Sequence, residues 1–116
     1  MSRSVNKVIL VGNVGRDPDV QVTKNGTKVA HLSLATNRRV GTPDGEERTE
    51  WHRLTLWNRL AELTEDRIQQ GDRIYVEGRL EYDSYEREGV RVPTVDVHVR
   101  ELVLLGNRTS PAMAEG

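Results

Sequence analysis

The chain has no cysteine and no phenylalanine among its 116 residues, and its aromatic complement is five side chains: Trp51, Trp57, Tyr75, Tyr82 and Tyr85. Zero cysteine excludes a disulfide framework, cysteine-based zinc or iron–sulfur sites and thiol catalysis, and fits a reducing compartment. Long apolar runs are also missing. A run such as Val8-Ile9-Leu10-Val11 is far too short to span a bilayer, and Met1 to Asn6 lack the apolar stretch of a signal peptide, so the expected location is cytoplasmic. An excess of one charge is lacking too: 17 Lys and Arg face 18 Asp and Glu, a formal −1. That balance is a poor first sign for a polyanion partner, but its distribution is uneven. Residues 1–40 hold seven basic groups against two acids, and residues 41–100 hold nine against fourteen, so a folded sheet can sort the signs onto separate faces.

What is present is turn punctuation between β-rich runs. Gly12 and Gly15, Asp17-Pro18, Asn25-Gly26, Gly41 to Gly45, Gly71-Asp72 and Gly89 separate strands expected near 5–11, 19–23, 27–36, 49–57, 73–82 and 91–104. Runs 19–23 and 27–36 make one hairpin across Asn25-Gly26. Residues 59–70 instead place Leu60, Leu63, Arg67 and Ile68 at helical spacing, with Asn58 as N-cap and Gly71 at the stop. With the hairpin taken as one unit, the order is three strands, a helix, then two strands. A small all-β chain with one short helix hides its edges economically as a closed barrel, and the five-stranded OB-fold, with its helix between strands 3 and 4, is that solution. The domain is expected over 1–105. From Gly106 to Gly116 periodicity and large apolar groups are lost, which predicts a flexible segment.

Strand alternation sorts the candidate residues. In Glu50 to Trp57, Leu54 and Leu56 face one way, while Trp51, Arg53, Thr55 and Trp57 share the other. A single outward tryptophan often completes a packing layer or subunit contact. Two flanking an arginine fit base stacking with an adjacent phosphate contact. In the run 73–82, Ile74, Val76, Gly78 and Leu80 alternate with Arg73, Tyr75, Glu77 and Arg79, a pattern usual for a solvated face. Segment 81–91 offers Tyr82, Tyr85, Arg87 and Arg91 among Glu81, Asp83, Glu86 and Glu88, and its composition favours a solvated hairpin over a binding loop. Segment 37–48, with Arg38 and Arg39 at its root, reads as a mobile finger. His31, His52 and His98 have no metal spacing, Gly12 to Gly15 reads as a turn rather than a phosphate loop, and Asp17 and Asp19 read as turn residues. Nothing in the spacing supports an enzyme.

Asn6-Lys7-Val-Ile-Leu-Val-Gly-Asn-Val-Gly15-Arg-Asp-Pro18, Ala30 to Thr36, Thr49-Glu-Trp51-His52-Arg53 and Tyr75-Val-Glu-Gly-Arg-Leu80 closely resemble the bacterial single-stranded DNA-binding protein (SSB) family, over about residues 3–105. The resemblance implies an OB-fold homotetramer that binds single-stranded DNA without sequence preference in replication, recombination and repair, with no cofactor. It implies stacking on Trp51, Trp57 and Tyr85, phosphate contacts at Lys7, Arg53 and Arg59, and a subunit interface at His52 and Tyr75. Arg38, Arg73 and Arg79 join the expected phosphate contacts from their placement beside those strands.

This chain departs from the family pattern where Val40 replaces a common stacking tryptophan, and where Glu81 and Asp83 replace basic residues. The usual acidic tail with a terminal phenylalanine is not seen in residues 106–116, which puts its protein partners in doubt. The competing expectation is an OB-fold protein–protein adaptor of the replication machinery, like the primosomal relatives of the family.

Overall fold

Alternating apolar and polar side chains give six strands and one helix in the computed structural model, which describes residues 3–41 and 45–106. In chain order they are β1 (Val8–Val14), β2 (Asp19–Val22), β3 (Lys28–Arg39), β4 (Glu47–Trp57), α1 (Arg59–Arg67), β5 (Arg73–Arg87) and β6 (Val90–Gly106). The strands are ordered β1-β5-β6-β4-β3-β2, and an additional β1–β3 pairing closes five of them into a ring. Closure removes the sheet edges wherever it operates, which is the OB-fold architecture expected from the element order. β2 stays outside the ring as the short arm of the β2–β3 hairpin, whose loop is closed by Thr23 N–H to Thr27 O at 2.8 Å and Gly26 N–H to Thr23 O at 2.9 Å.

The inward parity supplies the core. Leu32 and Leu34 of β3, Leu54 and Leu56 of β4, Ile74 and Val76 of β5, and Val97 and Val99 of β6 are buried together with Val14. Each fully buried aliphatic side chain contributes about 1.5–3 kcal/mol relative to exposure. Helix α1 closes one end of the ring with Ala61, Thr64 and the following Ile68, whereas Leu63 and Arg67 of the anticipated apolar face point to solvent. The helix also stops at Arg67 rather than 70. Ile68 turns to an extended conformation to reach the core, and the Asp72 carboxylate accepts Gln69 N–H at 2.9 Å beneath the exit. Asn58 occupies the N-cap position but makes no side-chain cap, because it adopts φ 57°.

The expected turn at Gly12 to Gly15 is instead largely strand. Gly12, Asn13 and Val14 continue β1, which passes from β5 to β3 at Asn13↔Ala35. A Cβ on Gly12 would collide with the Ala35 carbonyl oxygen, so glycine here permits the close backbone approach that seals the ring. Two expected loops also shorten. β5 and β6 run in register to Arg87↔Val90 around the two-residue turn Glu88-Gly89, both at positive φ. β3 and β4 pair out to Arg39↔Glu47, so the residues expected to root a mobile finger belong to a hairpin. Residues 42–44 of that finger, and the segment 107–116, lie outside the described residues.

Candidate nucleic-acid interface

On β4 the alternation works as expected: Trp51 is 61% exposed and Trp57 40%, while Leu54 and Leu56 are fully buried behind them. Thr55 shares the outward parity yet is buried, flanked in register by His31 of β3 and His98 of β6, with its hydroxyl 3.4 Å from His31 Nδ1. The Trp51 indole lies against Gly15, where a Cβ would strike the ring. The neighbouring backbone therefore fixes one side of the indole and leaves the rest to solvent. Around it an open cleft of about 320 Å³ is lined by Arg16, Asp17, Asp19, His31, Ser33, His52 and Arg53. Trp57 stands 6.5 Å from the His98 ring, tilted by 48°.

The register carries this face on to β6 and β5. Arg79 stands opposite His98, Glu81 opposite Asp96 and Tyr85 opposite Val92. Arg53 Nε lies 3.6 Å from Asp96 Oδ1, and Arg79 pairs with Glu81. Of the expected residues, the structure thus brings Trp51, Arg53, Trp57 and Arg79 to one outward surface, with Tyr85 farther along the hairpin.

Others lie elsewhere. Lys7 is held 3.2 Å from Glu77, next to the Asn6 side chain that exchanges two hydrogen bonds with the Leu80 backbone at 2.9 and 2.8 Å. Tyr75 donates to the same Glu77 at 2.9 Å, and Arg73 donates to Asn13 at 3.2 Å. The Tyr75 bond and Lys7 hold Glu77 below the usual carboxylate range, while donation to Glu77 pushes the Tyr75 phenol up. Arg38 has the opposite parity to Trp51 on the β3–β4 hairpin, where its Nε donates to Glu50 at 2.8 Å and holds that carboxyl low. His52 borders the Trp51 cleft, but its half-buried ring turns to the Arg38 side of β4, 2.9 Å from the Thr36 hydroxyl. Arg59 heads α1 and lines a separate shallow cleft with Lys28, Asn58 and Glu62. Lys28 itself bonds Glu65 at 2.6 Å, which raises its pKa.

Sequence reasoning missed Arg16 and His31, both beside Trp51. Arg16 follows Gly15, but only the packing of the indole on that glycine reveals the proximity. Among the described residues no cluster of three or more His, Cys, Asp or Glu could hold a metal, and no helix is long and apolar enough to cross a membrane.

Comparisons with known proteins agree with this construction. Single-stranded DNA-binding protein from Xanthomonas axonopodis pv. citri is 42% identical over 111 residues, 93% of this chain and 62% of the relative. That of Neisseria meningitidis serogroup A is 38% identical over 108 residues, 90% of this chain and 62% of the relative. The chain therefore spans about three-fifths of the length of these relatives. A solved chain from the Plasmodium falciparum SSB complex with ssDNA superposes with a TM-score of 0.84 at 28% identity, covering 91% of this chain and 99% of that one. The profile of the Single-strand binding protein family matches residues 5–105, and the chain belongs to that family.

Proposed function

We propose that this chain binds single-stranded DNA without sequence preference, as a non-enzymatic, cytoplasmic component of replication, recombination and repair. The observation that carries the reading is the half-exposed Trp51 indole packed on Gly15, with Arg16 and Arg53 lining the same cleft. A flat π-surface accepts any base, and an adjacent guanidinium meets the phosphate that follows it. Trp57 extends the surface, with Arg79 beyond it, and Tyr85 offers a further stacking position on the hairpin. The names of the relatives and the ssDNA complex of the structural neighbour support the same reading. Lys7, Arg38, Arg59 and Arg73 are peripheral phosphate contacts for a strand that wraps around the barrel.

Homotetramer assembly belongs to the same proposal. Residues Val8 to Gly12 pair with β5 on one side, and Ile9 and Val11 project outward beside Tyr75, which supplies an apolar edge for self-association. His52 is the second interface candidate. Titration with oligothymidine tests the binding: tryptophan fluorescence should fall as strand is added, and the affinity should weaken as salt rises. Unchanged fluorescence at low salt with excess strand would refute it.

A further inference from the structure

The face that carries Trp51 and Trp57 also sets carboxylates against its own arginines. Arg53 Nε reaches Asp96 Oδ1 across the β4–β6 junction at 3.6 Å, and Arg79 donates to Glu81 two residues along β5. Asp96 and Glu81 are themselves direct cross-strand partners. Like charges opposite one another destabilise an antiparallel pair, so strand pairing alone does not favour this placement. Each acid is compensated by the arginine at its side. The Asp96 side chain is 28% exposed and that of Arg53 66%, so the carboxylate sits deeper while the guanidinium is open to a ligand arriving from solvent.

We infer that Asp96 and Glu81 act as internal phosphate surrogates, holding Arg53 and Arg79 in the empty protein and yielding them to the phosphates of a bound strand. The inference rests on the proposed function and adds what sets the affinity and salt response of the face. An arginine that meets phosphate directly releases condensed counterions, adding about 0.7 per contact to the slope of log K against log salt for a single strand. An arginine that exchanges a carboxylate for a phosphate leaves an acid that collects a cation. Its net ion release is smaller than that of an arginine with no carboxylate partner. The face should therefore bind with a flatter salt dependence than its number of arginines suggests.

The test is Asp96→Asn, titrated with oligothymidine across a salt series and followed by tryptophan fluorescence. Binding should tighten by up to about fivefold at low salt, the scale of an exposed ion pair. The salt slope should steepen, by up to about 0.7. Glu81→Gln, at a more exposed position, should act in the same direction, and a melting temperature equal to the parent's shows that either variant is folded. Asp66→Asn makes the same charge change on α1, away from the face, and should shift affinity by less than about twofold because solvent and salt screen it. A parent that binds while both face variants match it in affinity and slope overturns the inference. So does weaker binding by Asp96→Asn, which would make the carboxylate a positioning group for Arg53, or an equal gain from Asp66→Asn. A parent that fails to bind overturns the proposed function, and this inference with it.

Discussion

On β4 the outward tryptophans stand over Leu54 and Leu56, both fully buried, and Trp51 is also seated against Gly15. On the outer half of the β5–β6 hairpin, Tyr82 is 69% exposed and lies opposite the exposed Val95, while Tyr85 projects from the other parity. The two regions follow the same rule of alternation, but only the first has a core beneath it. An aromatic ring over a packed wall loses little freedom when a base arrives, whereas one on a two-sided ribbon must be ordered at the moment of binding. The charges differ likewise. Arg16 and Arg53 share the Trp51 cleft with Asp17 and Asp19, whereas the hairpin interleaves Glu81, Asp83, Glu86 and Asp96 with Arg79, Arg87 and Arg91.

The largest effect should come from breaking the wall itself. Gly12→Ala drives a methyl into the Ala35 carbonyl where β1 seals the ring, and should cost about 3 kcal/mol of stability in a urea titration. Stability close to the parent's would show that the ring closes without that approach. A direct comparison of the two regions comes next. Trp51→Ala should lose about 1–3 kcal/mol of binding per engaged base, read by polarisation of a labelled oligonucleotide. Tyr85→Ala should lose less than about 1 kcal/mol, since the ordering of an unsupported ring offsets part of the stacking. Equal losses would mean that the support beneath an aromatic does not govern its contribution.

The smallest effect concerns Glu50, behind the tryptophans on the β3–β4 hairpin. Arg38 holds its carboxyl lower in the folded chain than in the unfolded one. A depressed carboxyl contributes stability that is present above its unfolded pKa, about 4.3, and is lost as pH falls through the folded value. The melting temperature should therefore drop slightly on acidification below about pH 4, and Glu50→Gln should flatten that part of the curve. An unaltered acid limb would remove the ion pair from the account.

Much of this was legible because strands announce their faces. The parity of Trp51, Arg53 and Trp57 against Leu54 and Leu56 needed only a period of two. The Asn25-Gly26 hairpin needed only turn chemistry. The helix was harder, since a nine-residue plug buries whichever side meets the barrel, here Ala61 and Thr64 rather than Leu63. Gly12 misled because a glycine that admits a neighbouring backbone looks, in sequence, like one that bends a turn. Arg38 was placed with the tryptophans by proximity along the chain, although its even position on β3 turns it to the reverse side of the hairpin.

The sequence lacks cysteine and presents a few outward aromatics with unevenly distributed charge. Residue identity and alternation, both local properties, determined the strands, the inward core and the tryptophan face. Only the tertiary structure decided which charges meet. The ring closure lays Trp51 on Gly15, carries Arg53 to Asp96 across forty-three residues of chain, and sets Glu81 opposite Asp96. Those contacts depend on register between distant strands, and no local pattern encodes a register until the barrel has closed.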